Sequence, residues 1–327
     1  MVRILNLTRH QRITMAAAAV IAGMSFSVHA AYPDKPLRIV VPSSPGGSAD
    51  AIARMVGERL SRALGQPVII DNRGGGGGNI ATDAVAKAAA DGYTILLTGN
   101  NHTLNVSLFA KAPYKLDDFV PVIELTRGPS VFVTAANGAF ADLPDLVSKA
   151  KAAPNTIAYG SPGIGLPSHI AAEMFVRAAM ISLVHVPYKG SGPSLMDGIS
   201  GQIPVVSSTL AAAMPHINSG KLKALAVTSA TRWPSLPNTP TVAESGVPGY
   251  SHLTWLGLLV PKSTPHAIVV QLNAEVGKIL ADPEIKTTLQ SQGTSPVGGS
   301  PAAFEKMLTE EAVTSKALVQ SAGLRAE

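Results

Sequence analysis

The stretch Leu37 to Leu64, LRIVVPSSPGGSADAIARMVGERLSRAL, decides the fold class. Leu37 to Val41 is a short β-rich run that ends at Pro42, which cannot donate to a sheet ladder. From Ala51 onward the period changes. Ile52, Val56, Leu60 and Leu64 recur every fourth residue with Met55 alongside, while Arg54, Glu58 and Arg62 face away. That is one apolar stripe on a helix. A strand that feeds a helix through a Gly- and Ser-rich turn is the unit of an α/β protein.

The unit recurs along the chain. Val68 to Ile70, Thr94 to Leu97, Val131 to Val133, Leu183 to Val186, Val205 to Val206 and Leu222 to Val227 read as further strands, separated by helical patterns. Val120 to Ala135 and His252 to Val260 are longer β-like stretches, and each can carry the chain between two domains. Two crossings imply a discontinuous first domain, and one large α/β domain is the alternative. Thr264-Pro265, Asp282-Pro283 and Ser300-Pro301 each place a capping side chain before a Pro at the first helical position. They predict three successive helices from about Pro265 to Leu324, without strands between them, packed on an existing sheet. No internal sequence repeat is evident.

Composition sets outer limits. In 327 residues, 46% are hydrophobic and 14% charged, which excludes disorder and supports large cores. There is no Cys, so disulfides, thiolate catalysis and Cys-ligated metals are excluded. Arg3, Arg9 and Arg12, the apolar run Met15 to Val28 and the small residues of Val28-His29-Ala30 have the layout of a cleavable secretory signal over residues 1–30, with a mature start near Ala31. The apolar run is too short for a stable membrane anchor. Losing three Arg and no acid leaves a mature net charge of +2. Spread along the chain, that charge gives no nucleic-acid footprint, and no later apolar span is long enough to insert into a membrane.

Three loops carry candidate chemistry. Val41 to Asp50 joins the first strand to the first helix. Gly46 and Gly47 let a ligand approach the backbone, Ser43, Ser44 and Ser48 add hydroxyl donors, and the helix behind presents unpaired N–H groups to an anion. A tight turn capped by Ser48 or Gly47 is the plainer reading. Asp50 either complements the helix dipole or selects a ligand amino group. Ala158 to Phe175 repeats the design, with Ser161, Gly163 and Gly165 as a second anion nest and Ser168 and His169 at a helix start. His185 to Ser194 adds Tyr188 as a pocket residue, while Lys189 reads as a surface charge. The run Gly74 to Gly78 fails as a dinucleotide fingerprint because Asn79 stands where the last Gly belongs, and no Lys-Ser or Lys-Thr follows for a P-loop. It reads more simply as a flexible strand-to-helix connection near a cleft mouth. The nucleophile elbow is incomplete around Ser161, there is no HExxH, and the six mature histidines have no metal-ligand spacing. No catalytic, metal or cofactor site is expected.

These residues resemble the Bug family, the substrate-binding receptors of tripartite tricarboxylate transporters. The resemblance rests on YPDKPLRIVVP at Tyr32 to Pro42, PGGSAD at Pro45 to Asp50, and LGQPVIIDNRGGGGGNIATDAVAKAAADGYTILL at Leu64 to Leu97. HVPYKGSGPS, GKLKALAVTS at Gly220 to Ser229 and LPNTPTVAESGVPGY at Leu236 to Tyr250 follow in order. It implies an α/β, two-domain periplasmic binding protein (Venus-flytrap) fold with two interdomain crossings. The expected parts are residues 31–128, then 129–256 as the second domain, then a return to the first over residues 257–327. The expected ligand is a small carboxylate: a di- or tricarboxylate, an acidic amino acid or an aromatic acid. The expected partners are the membrane subunits of such a transporter. In the family the loop after the first strand and the Gly/Ser loop of the second domain grip a carboxylate, which maps onto Ser43 to Ser48 and Ser161 to His169. Ser43 stands where an aromatic residue is common, Leu166-Pro167 replaces a more polar or smaller pair, and the Gly run lacks its usual interruption. These departures reshape the part of the pocket that meets the ligand's variable end. A periplasmic sensor that docks a signalling partner, and a periplasmic hydrolase using Ser161 or His169, are the competing functional readings.

Overall fold

The chain alternates strand and helix twice over, as a computed structural model describing residues 32–322 shows. The signal-peptide expectation falls on residues 1–30, outside the described residues. The first series runs β1 (Leu37–Val41), α1 (Ser48–Leu64), β2 (Val68–Asn72), α2 (Asn79–Ala86), β3 (Thr94–Gly99) and α3 (Asn101–Leu108). After the long strand β4 (Phe119–Ala135) and α4 (Leu143–Ala152) the pattern repeats. It runs β5 (Ala158–Ser161), α5 (Pro167–Ala178), β6 (Val184–Pro187), α6 (Ser191–Ser200), β7 (Val205–Thr209) and α7 (Leu210–Asn218). The chain ends with β8 (Leu222–Val227), β9 (Leu253–Pro261), α8 (His266–Ala281), α9 (Pro283–Ser291), β10 (Ser295–Gly298) and α10 (Pro301–Ala322).

The ten strands form one sheet of order β2-β1-β3-β9-β4-β7-β5-β6, with β8 and β10 also paired to β4. β1 lies parallel between β2 and β3, and β5 lies parallel between β6 and β7. An antiparallel strand closes each trio: β9 beside β3, and β4 beside β7. The two series are therefore one topology used twice, a repeat that no sequence comparison within the chain exposes. β4 belongs to both. Phe119 to Pro129 pair with β9, whereas Ser130 to Ala135 pair with β7 and β8. Both series thus lie in the compact unit Lys35–Glu327.

Separate cores fill the layers. Val40, Val85, Leu96, Phe119, Trp255 and Leu259 pack with Phe304 and Leu308 of α10 in the first series. Phe132, Leu143, Tyr159, Phe175 and Val205 pack on one face of the second, and Val131, Leu195, Val206, Leu210 and Val227 on the other. A small cluster crosses between the series, with Leu104 and Leu108 of α3 against Ile170 of α5 and Val319 of α10.

The C-terminal helices attach to the first series. Arg59 of α1 pairs with Asp282 at 3.4 Å and Glu284 at 2.8 Å. Glu311 of α10, held above the ordinary carboxylate range by burial, accepts from Asn100 Nδ2, Thr103 Oγ1 and Trp255 Nε1 at 2.6 to 2.8 Å. Two expectations need correction. The three helices do not run without a strand, because β10 pairs antiparallel with β4 from Ser295↔Arg127 to Gly298↔Glu124. Four residues that include Pro296 and Gly298 carry no period-2 signal. Thr264 does not cap α8 either: the N-cap is Pro265 and the Thr264 hydroxyl has no partner. Asp282 and Ser300 do cap, accepting from Glu284 N at 2.8 Å and Ala303 N at 3.2 Å.

Candidate functional site

In an open α/β sheet a ligand sits beyond the carboxyl ends of parallel strands, where neighbouring connections leave on opposite faces. The order β2-β1-β3 makes that crevice at the end of β1, and β6-β5-β7 makes its counterpart at the end of β5. The residues singled out in the sequence fall on these two points. Ser43, Ser44, Gly46, Gly47, Ser48 and Asp50 follow β1. Ser161 ends β5, and Gly163, Gly165, Ser168 and His169 follow it.

No side chain caps either helix. α1 starts behind Gly47 and α5 behind Leu166, with Pro167 at the first helical position. Their first-turn amides, save Pro167, which has no N–H, therefore remain donors at the positive end of a dipole. Around α1, Ser43 Oγ is buried without a partner, and Ser44 and Gly46 are exposed. Asp50 has internal work. Its carboxylate accepts from Gly46 N–H at 2.9 Å and from Arg54 Nε at 3.1 Å, and only 4% of the residue is exposed. Burial pushes this carboxyl up, and the bonds from Arg54, Gly46 and Asn72 outweigh burial and hold it below its ordinary value. Asp50 thus shapes the loop through Oδ2, while Oδ1 is buried beside Arg54 without a hydrogen-bond partner.

The second loop is more deeply wired. Ser161 is fully buried, with Oγ 2.7 Å from His185 Nε2, and Gly163 N–H donates to the same Oγ at 3.3 Å. The His185 ring lies between Tyr159 and His169, with centroids 4.8 and 4.2 Å away. His169 Nδ1 accepts from Gly165 N–H at 3.2 Å, which leaves its proton on Nε2, 3.8 Å from Glu173 Oε1. Burial lowers both histidines to about 4, helped for His185 by the His169 charge, so both rings are neutral at pH 7. Ser168 is turned inward. Its hydroxyl accepts from Ser130 Oγ at 3.1 Å and its carbonyl from Ser207 Oγ at 2.7 Å. Tyr188 belongs to the scaffold as well: its hydroxyl donates to Asp197 at 2.7 Å, and its ring packs on the core beside Val206. Lys189 is exposed.

The glycine run connects the two loops. Gly75 to Gly78 all have positive φ, from +57° to +113°, so a side chain at any of them would be strained. The expected flexible connection is instead a defined turn. The Gly77 carbonyl accepts from Asn101 Nδ2 at 3.2 Å and Asn105 Nδ2 at 2.9 Å, and Asn105 Nδ2 also reaches Asn79 Oδ1 at 2.9 Å. On one side, a Cβ at Gly74 would lie 3.3 Å from Ser44 N. On the other, a Cβ at Gly165 (φ +77°) would lie 2.9 Å from Leu108 Cδ2 and 3.5 Å from Asn105 Oδ1, an oxygen that is buried without a partner. Loop one, the glycine turn, α3 and loop two are thus in sequential contact. His185, Asn101 and Asn105 touch the candidate loops or the glycine turn, and sequence reasoning does not select them. Asn101 and Asn105 sit four apart on α3, and His185 stands on a strand next to Ser161's strand, a relation that needs the register Ser161↔Pro187.

Chemically, the surroundings offer neutral donors. Neither loop contains Lys or Arg. No group of three His, Cys, Asp or Glu residues among the described residues is placed to hold a metal, and no helix among them is long and apolar enough to cross a membrane. For the competing hydrolase reading, which uses Ser161 or His169, the imidazole within hydrogen-bond reach of Ser161 Oγ is that of His185. Glu173, whose charge reaches His185, accepts its hydrogen bond from Tyr159.

A family model described as the tripartite tricarboxylate transporter family receptor matches residues 52–324. Protein BugT of Bordetella pertussis is 35% identical over 96% of either chain. Among solved structures, the R. palustris protein Rpa4515 with adipate superposes with a TM-score of 0.86, at 35% identity over 90% of this chain and 99% of that one. The periplasmic binding protein BugD follows with a TM-score of 0.85, at 31% identity over 90% and 100%. MatC from Rhodopseudomonas palustris, with bound malate, gives 0.83 at 30% identity over 88% and 100%. The shared fold is the α/β, two-domain periplasmic binding protein fold.

Proposed function

Because the chain belongs to the TctC family, the tripartite tricarboxylate transporter receptors, we propose that it is a periplasmic receptor that captures a small carboxylate and hands it to a transporter of that type. One observation carries the reading. Two uncapped helix N-termini, behind Ser43 to Ser48 and behind Ser161 to Leu166, occupy equivalent crevices of a duplicated topology with no cationic side chain in either loop. Such termini bind anions through backbone N–H groups and the helix dipole. The adipate of Rpa4515 and the malate of MatC fit that donor set. Residues 31–128 with 257–327 form one lobe in this reading and residues 129–256 the other, divided where β4 changes partner at Pro129-Ser130. The ligand contacts are Ser43, Ser44, Gly46, Gly47 and Ser48 in the first lobe and Ser161, Gly163 and Gly165 in the second. Asp50, Ser168, His169 and Tyr188 support them.

A ligand that binds only the folded state raises its melting temperature. The test is a thermal-shift panel of malate, adipate, citrate, glutamate and benzoate on the mature chain, followed by calorimetry on any hit. A panel without a shift overturns the carboxylate reading. A second reading, a serine hydrolase, is favoured by the 2.7 Å contact between Ser161 Oγ and His185 Nε2. Covalent labelling of Ser161 by a fluorophosphonate supports it, and an unlabelled serine under conditions that inactivate a control hydrolase removes it.

A further inference from the structure

Ser161 is the one hydroxyl of the second loop whose hydrogen-bond direction is set by a titratable ring. Its Oγ has one proton and two acceptor positions. Gly163 N–H takes one acceptor position at 3.3 Å, and the remaining close partner is His185 Nε2 at 2.7 Å. The contact has two states. With the ring proton on Nδ1, Nε2 accepts from Ser161, and the hydroxyl proton is spent inside the protein. With the ring proton on Nε2, His185 donates to Ser161 Oγ, and the serine proton, with the residue buried and no other acceptor for it among the described residues, is left for a ligand oxygen that reaches it. A carboxylate has no proton to offer and only accepts, so only the second state serves it.

We propose that His185 is a positioning residue for ligand capture: its Nε2–H donates to Ser161 Oγ, which turns the Ser161 proton toward the ligand carboxylate and makes the second loop selective for the ionised acid. The inference rests on the receptor reading and assigns its polarity. The ring is well placed for the role. It is stacked between Tyr159 and His169, which hold its plane, and its neutrality leaves one nitrogen to donate while the other does not. His169, its neighbour in the stack, is committed through Nδ1 to Gly165 N–H and takes no part in the contact with Ser161.

Two substitutions separate donation from packing. His185→Phe keeps an aromatic ring in the stack and removes the donor. His185→Gln places an amide NH2 near the Nε2 position and loses the ring. The probe is whichever of malate or adipate binds the wild-type chain in calorimetry. The expected result is a 10- to 100-fold weaker Kd for His185→Phe, recovery to within about threefold of wild type for His185→Gln, and no further loss when Ser161→Ala is added to His185→Phe. Equal losses in both His185 variants, or additive losses with Ser161→Ala, assign His185 to packing alone and overturn the proposal. If neither acid binds, the probe is whichever acid of the thermal-shift panel does; should the whole panel fail, the receptor reading falls, and the wiring is still decided by imidazole 15N shifts of the unliganded chain. The proposal requires that Nε2 of His185 be the protonated, pyrrole-type nitrogen and that Ser161→Ala move its resonance; a proton on Nδ1, or an unmoved resonance, overturns it.

Discussion

Ser130 donates its hydroxyl to that of Ser168 across 3.1 Å, inside the protein and shielded from solvent. The bond matters because of where its two ends stand. Ser130 is the residue at which β4 leaves β9 and takes up β7, and Ser168 lies in the first turn of α5, behind the Gly/Ser loop. The junction of the two series is thus fastened directly to the helix terminus that faces the crevice. In the receptor reading both residues belong to the second lobe, so a rotation of that lobe about the junction is expected to carry the terminus as one piece.

This coupling predicts closure on binding. A small anion held by both termini gains most when they converge, so a ligand with that differential affinity shifts the population toward the closed arrangement. Small-angle scattering with and without a calorimetrically proven acid should show a smaller radius of gyration for the complex. An unliganded chain that is already as compact leaves a preformed pocket as the better account.

The two loops should contribute through hydroxyls. Ser161→Ala and Ser48→Ala are each expected to weaken acid binding by about 1–3 kcal/mol, the range for a lost hydrogen bond to a charged group. Calorimetry at constant ionic strength is the measurement. Unchanged affinity in both variants would place the ligand elsewhere.

Gly165 is expected to tolerate no side chain. Alanine there meets Leu108 Cδ2 at 2.9 Å and must hold a φ of +77°, a backbone state that costs an L-residue roughly 1–2 kcal/mol. Gly165→Ala should lower stability by about 2 kcal/mol in urea melts and also weaken acid binding. Adding Leu108→Ala removes the collision but not the strain, so the double variant should recover part of the binding loss. Additive losses would show that the α3 contact is not what the glycine protects.

Acid should destabilise the fold through its buried histidines. Burial holds His102 at about 3 and His252 at about 4, against an ordinary 6.5. Below pH 6.5 the unfolded chain takes up protons that the folded chain refuses. The stabilising contribution of each ring is therefore complete above pH 6.5 and lost as the pH falls toward its folded value, at roughly 1.4 kcal/mol per pH unit. His102 stacks on Tyr114 and meets Phe119 edge-on, at 5.3 and 5.0 Å, so phenylalanine suits its surroundings. His102→Phe should flatten the decline in stability between pH 6 and 4, as followed by urea unfolding at several pH values. Parallel curves for the two proteins would refute this account of His102.

Much of this architecture is legible in the residues themselves. The fourfold stripe from Ile52 to Leu64 predicts α1, which ends at Leu64. The long β-like stretches predict β4 and β9 to within a residue or so. Both Gly/Ser loops are visible because a strand, a small-residue turn and an apolar stripe follow one another in each. What stays hidden is relational. β10 lacks alternation and exists only because Thr126 and its neighbours offer it an edge. The internal partners of Asp50 and Tyr188, Gly46 and Asp197, are likewise set by the folded loops and not by spacing. His185 matters only through a strand neighbour that no spacing encodes. The repeat is invisible for the same reason: the two series share the order of their elements and not their residues.

The place of β9 also bears on the order in which the molecule can assemble. Leu259 lies in the sheet beside both Leu96 and Pro121, yet the whole second series is made before it. A chain emerging from its N-terminus can bring β5, β6, β7 and β8 together on the end of β4 while β3 still lacks its neighbour. The first series to be made is the last to be completed, and contacts between residues so distant in sequence form slowly. Until Pro261 has emerged the edge of β3 stays uncovered, and the apolar face that receives Phe304 stays so for longer still. Such an interval is when a chaperone holding that edge would do most to prevent aggregation.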